Sequence, residues 1–140
     1  MYNALEQIGQ WPLETQKARE EKLHVHIPPE KALRLIHGND NQTTVNLFIS
    51  NDQCHVGTHT IPGGKLTDAE THDGDEALLV LEGRLQISVY EDPSEEDAVS
   101  RGCWVAEEGD AFLVPAGLRH QYFNLGKGTA RFLFAIAPRI

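Results

Sequence analysis

Glu70, His72 and Glu76 bring three candidate metal ligands into one short stretch. In an extended segment Glu70 and His72 leave the same face, ~7 Å apart at their Cα atoms. A carboxylate oxygen and an imidazole nitrogen at that spacing can converge on one ion. Asp73-Gly74-Asp75 follows as a turn-forming triplet. It predicts a hairpin that folds Glu76 back beside the first two ligands. Leu78 and Val80 continue on the face of Glu76 down to a turn at Glu82-Gly83. A second stretch, Gly109 to Asn124, is built in the same style. The apolar Phe112-Leu113-Val114 leads into a rigid Pro115-Ala116-Gly117 turn. His120, Tyr122 and Asn124 then alternate along a strand. His120 is the sole candidate imidazole ligand in that half.

Two carboxylates and two imidazoles with no thiolate nearby suit Mn, Fe, Ni or Zn better than Ca or Mg, with Mn or Fe favoured by the extra oxygen. Four protein ligands leave about two positions on an octahedral ion for a bidentate substrate or two waters. Glu70 can be a ligand or stay free as an acid/base. Glu70 and Glu76 are the candidate proton carriers. Tyr122 shares the face of His120 and is the third candidate catalytic residue, with a core role equally open. His59, on the strand entering the first stretch, is a candidate inward-facing residue. Gly64, Gly83 and Gly117 read as backbone devices, and Asn124 as a partner for backbone groups beyond its strand.

The elements that must position these groups are short. Ala4, Leu5 and Ile8 have helix-like spacing, ended by Gly9 and Pro12. Leu13 to Leu23 is rich in helix formers but poor in apolar residues, which predicts a surface helix or arm. His24-Val25-His26-Ile27 reads as a strand stopped by Pro28-Pro29, its histidines facing solvent or a partner strand. Lys31 to His37, Thr43 to Ser50 and His55 to Ile61 alternate. In the second of these, Val45, Leu47 and Ile49 share one face. Leu85, Ile87 and Val89 alternate after Gly83. Glu91 to Ser100 is an acidic loop. Cys103-Trp104-Val105 begins another strand, Gly126-Lys127-Gly128 predicts a hairpin turn, and Arg131 to Ala137 a last buried strand. Many short strands at turn spacings of roughly 8–12 residues indicate an all-β sandwich or barrel.

In its motifs the chain resembles the cupin superfamily. The first motif, G-x5-H-x-H-x3-E-x6-G, is matched at Gly64, His72, Glu76 and Gly83, with Glu70 in the place of the first histidine. The second, G-x5-P-x-G-x2-H-x3-N, is matched in full at Gly109, Pro115, Gly117, His120 and Asn124. The resemblance implies a double-stranded β-helix, or jelly-roll barrel, over residues 41–140 with an N-terminal arm over 1–40. It implies a divalent metal inside, on Glu70, His72, Glu76 and His120, and a homodimer with arm contacts. The activities it implies are isomerases, epimerases and lyases on sugar-like or chelating substrates. An Fe-dependent dioxygenase and a non-catalytic ligand-binding barrel are the alternatives.

Composition bounds the rest. The 140 residues suit one domain. A net charge of −9 argues against nucleic acid and anionic membrane as partners; a small-molecule substrate or ligand is what the cupin resemblance implies. Cys54 and Cys103 have no metal-site spacing and fit a reducing compartment. With no signal-like segment at the start, a cytoplasmic location is expected.

Overall fold

The computed structural model describes residues 9–90 and 100–140. The expected helix-like spacing at Ala4 to Ile8 and most of the acidic loop lie outside the described residues. Two antiparallel sheets face each other. Strands β1 (Leu33–His37), β2 (Thr43–Ser50), β3 (His55–Ile61), β4 (Asp75–Glu82), β7 (Ala111–Val114) and β9 (Ala130–Ala137) form one, in the order β1-β2-β3-β9-β4-β7. Strands β5 (Leu85–Tyr90), β6 (Ser100–Ala106) and β8 (Arg119–Phe123) form the other, in the order β6-β5-β8. This is the all-β, jelly-roll architecture expected from the short alternating strands.

The period-two pattern decides what is buried. Glu76, Leu78 and Val80 of β4 point inward while Ala77, Leu79 and Leu81 point out. On β9 the inward row is Phe132, Phe134 and Ile136. Leu85 and Ile87 of β5 and Tyr122 of β8 close the core from the second sheet, with the Tyr122 and Phe132 rings 4.9 Å apart.

Several expectations are corrected by the topology. His24 to Ile27 is not a strand; the segment is irregular and both histidines are exposed. Pro28-Pro29 follows and leads into a 3-10 turn, Pro29–Lys31. Asp73 to Asp75 does not turn a hairpin. It carries the chain from the edge of one sheet into β4 of the other. Gly74 sits so close to the end of β9 that a Cβ there would collide with the carbonyl oxygens of Ala137 and Arg139. Gly126 to Gly128 likewise joins strands of different sheets, β8 and β9. Ile49 is 38% exposed instead of sharing the buried face of Val45 and Leu47. The register slips between Leu47 and Ile49, and a bulge reverses which face follows. Ser50 turns inward in its place.

Helix α1 (Thr15–Glu21) is capped by the Glu14 carboxylate, which accepts from the Gln16 and Lys17 amides. Residues 9–32 run outside the barrel. Trp11 exchanges two backbone hydrogen bonds with Ser50 at 2.9 Å, and Arg19 pairs with Asp52 at 2.7 Å on the surface.

Candidate metal centre

Backbone pairing sets the first two candidate ligands. Residues 64–72 run antiparallel beside β8 without forming a continuous strand. Gly64 N donates to Asn124 O at 2.8 Å, Thr67 N to Tyr122 O at 2.9 Å, and Glu70 and His120 exchange both bonds at 2.9 Å. Glu70 and His120 are therefore directly opposed residues, whose side chains on one face come within reach of each other. His72 O accepts from Gly117 N at 2.9 Å. Gly117 has φ +80°, a left-handed conformation that glycine adopts without a Cβ penalty. Asn124 donates from Nδ2 to Ile61 O and Gly128 O, both at 2.8 Å, fixing the exit of β8. Glu76 enters from the opposite sheet, in register with Ile136 and Val114.

The four side chains meet. One ligand atom each from Glu70, His72 and His120 lie within 4.8 Å of one another. Glu70 Oε1 is 3.6 Å from His72 Nε2. Glu76 Oε2 is 2.9 Å from His72 Nε2 and 3.4 Å from His120 Nε2. All four residues are buried.

The polar accounting at this point is unusual. His72 Nε2, His120 Nε2 and Glu76 Oε2 are buried and none has an aligned hydrogen-bond partner. Buried polar atoms are almost always paired, and leaving one unpaired costs roughly 1–3 kcal/mol. Three such atoms aimed at one point, two nitrogens and a carboxylate oxygen, are the donor set a transition-metal ion satisfies. The other ring nitrogen of His120, Nδ1, lies 3.0 Å from Leu118 O. Donation to that carbonyl fixes the tautomer with Nε2 free as a ligand. His72 Nδ1 finds no partner.

The remaining contacts surround the quartet. Tyr122 OH donates to Glu76 Oε1 at 2.8 Å, and its ring lies 5.3 Å from that of His120. His37 Nε2 meets Glu70 Oε2 at 2.9 Å. His59 Nε2 pairs with Thr43 Oγ1 at 2.5 Å, and its ring packs edge-on to His37 at 5.6 Å. His37 is the residue that the sequence reading missed. Its signal was present: it follows Leu33 and Leu35 at a spacing of two, so it belongs to the same inward face of β1. His59 does face inward and is buried. The free space bounded by His37, His59, His72, Glu70, Glu76 and the apolar Phe134 and Ile136 is about 10 Å3. That is room for an ion or a single water.

Electrostatics follow from this packing. Burial opposes ionisation of Glu76, but the rings of His120 and His72 outweigh it and hold the carboxyl well below its ordinary value. Burial likewise opposes ionisation of Glu70, and His37 brings its value down. Burial disfavours the charged forms of His37 and His120, yet Glu70 and Glu76 respectively raise them. Burial and then the Glu76 charge push the Tyr122 phenol well up, so it stays protonated and donates.

His59 runs the other way. Burial, reinforced by His37, lowers it from 6.5 to about 4. Between those values the unfolded chain binds the extra proton and the folded chain does not, so this contribution is full above pH 6.5 and lost as pH falls toward 4. The drop corresponds to about 3 kcal/mol. Urea unfolding of metal-free protein is expected to show stability falling across that window. The fall should be shallower in His59→Gln; an identical pH profile would rule His59 out as its source.

Comparison with known proteins places this geometry. The cupin domain family matches residues 57–136. The chain belongs to the cupin family. Among solved structures, this cupin is similar to the polyketide cyclase RemF from Streptomyces resistomycificus, at 18% identity and TM-score 0.66, covering 84% of this chain and 82% of that one. It is similar to an RmlC-like cupin from Shewanella frigidimarina at 16% identity and TM-score 0.60, covering 82% and 92%. It is also similar to Fe(II)-HppE bound to an alternative substrate, at 20% identity and TM-score 0.64, covering 80% and 60%. At these identities the likeness is one of fold. No curated protein matches the chain. Among the described residues, no helix is long and apolar enough to cross a membrane.

Proposed function

We propose that this cupin is a metal-dependent enzyme acting on a small polar metabolite by non-redox chemistry, as an isomerase, epimerase or lyase on a sugar-like or chelating substrate. The observation that carries the reading is the convergence of Glu70, His72, Glu76 and His120 with three of their donor atoms unpartnered. Mn or Fe is the favoured occupant, with Ni or Zn also served by this donor set. A divalent ion there supplies Lewis-acid polarisation of a substrate oxygen. His72 and His120 would hold it, with Glu70 and Glu76. With Glu70 off the ion as acid/base rather than ligand, its carboxylate would carry a proton between neighbouring substrate carbons. Tyr122 keeps Glu76 oriented beside that step.

A second reading, an Fe-dependent dioxygenase, is favoured by the same donor set, which suits Fe(II) equally. A ligand-binding barrel without turnover is the third. One experiment separates them. Protein loaded with Mn2+ or Fe2+ is incubated in D2O with a panel of aldoses, ketoses and 2-hydroxy acids and followed by NMR. Deuterium entering a substrate C–H bond without oxygen consumption supports the non-redox enzyme. Oxygen uptake with Fe2+ replaces it with the dioxygenase. Binding without any turnover leaves the third reading.

The partners we propose are this small molecule and a second copy of the chain, with the N-terminal arm that precedes β1 at the interface. Exposed Leu23, Val25, Ile36 and Ile49 on and beside the arm supply apolar surface for it. Deleting residues 1–23 is expected to lower the mass seen by light scattering, and an unchanged dimer would count against the arm. The free thiols of Cys54 and Cys103 accord with a cytoplasmic setting.

A further inference from the structure

Each carboxylate of the centre is gripped on one oxygen by a residue from the sheet opposite its own. Glu70 lies on the segment paired with β8, and its Oε2 is met at 2.9 Å by His37 Nε2 of β1. Glu76 lies on β4, and its Oε1 accepts from Tyr122 OH of β8 at 2.8 Å. The remaining oxygens turn toward the imidazoles. Glu70 Oε1 is 3.6 Å from His72 Nε2, and Glu76 Oε2 is 2.9 Å from the same atom.

We propose that His37 and Tyr122 are a matched pair of positioning residues that limit each carboxylate to one oxygen toward the ion. The assignment rests on the metal reading above. A carboxylate with both oxygens free can take a cation bidentately. Here that would strip a buried donor of its only acceptor on the carboxylate, which is unfavourable in an interior. The two grips therefore fix one donor oxygen on each carboxylate, which with the two imidazole nitrogens limits the set to four donor atoms. Because each grip spans the sheets, it also sets how far apart the two halves of the ligand set stand. Partners of this kind commonly change metal affinity by about 10–100-fold when removed.

The test uses the full chain and Mn2+ alone. Affinity is read by titration, and the coordination of bound Mn2+ by its electron paramagnetic resonance spectrum. His37→Leu and Tyr122→Phe are each expected to weaken binding by about 10–100-fold and to change the zero-field splitting of the spectrum. His37→Gln, which keeps a donor, is expected to recover most of the affinity. Folding is checked by cooperative melting; should His37→Leu fail to fold, Tyr122→Phe, which removes a single hydroxyl, carries the same test. Folded variants with wild-type affinity and an unchanged spectrum would overturn the positioning role alone. A wild-type chain that takes up no Mn2+ would overturn the role together with the metal reading.

Discussion

His120→Ala is expected to weaken Mn2+ binding by more than ~100-fold, beyond the range seen when an outer partner of a ligand is lost. His120 offers Nε2 with no other partner, its tautomer is set through Leu118 O, and it is fully buried. Among the described residues, the other buried histidines His37, His59 and His55 are committed to Glu70, Thr43 and Ser50. Titration of the apoprotein with Mn2+ checks this. Glu70→Ala then separates two roles. A loss as large as that of His120→Ala makes Glu70 a full ligand. A small loss of binding with a large loss of turnover makes it an acid/base.

Removing the metal is expected to lower the melting temperature by about 10 °C. Apoprotein leaves His72 Nε2, His120 Nε2 and Glu76 Oε2 buried with no aligned hydrogen bond. Any ligand that binds only the folded chain stabilises it by mass action, ~4 kcal/mol at a thousandfold excess over the dissociation constant. For a chain of this size each kcal/mol moves the midpoint by roughly 2–4 °C. Calorimetry with and without a chelator reads the shift, and His120→Ala should abolish it. A chelator with no effect on wild-type protein that had been shown to hold metal would contradict this coupling.

What the sequence made legible, and what it hid, divides along a physical line. Strands announce themselves by alternation, so Val45 with Leu47, and Leu78 with Val80, could be placed on shared faces from spacing alone, whereas the unbroken apolar run of Arg131 to Ala137 showed burial but not which face turns inward. The convergence of the candidate ligands was legible because both motifs carry their own turns: Gly117 and Pro115 place His120, and the two-residue spacing places Glu70 beside His72. Connections were not legible. A turn triplet such as Asp73 to Asp75 has the same composition whether it closes a hairpin or passes the chain to a facing sheet. Only the pairing of residues 64–72 with β8, and of Glu76 with Ile136 and Val114, tells the two apart. The bulge before Ile49 was hidden for a similar reason, since one extra residue leaves the pattern apolar while reversing its face. His37 escaped notice because its partner lies 33 positions away; no local pattern links a strand-end histidine to a carboxylate on another segment.

The metal content of untreated protein, by elemental analysis, bears most directly on the central claim that Glu70, His72, Glu76 and His120 share one ion. The prediction is close to one transition-metal ion per chain, Mn or Fe first, falling to near zero in His120→Ala. A chain that is purified empty and remains so after incubation with Mn2+, Fe2+, Ni2+ and Zn2+ would contradict it.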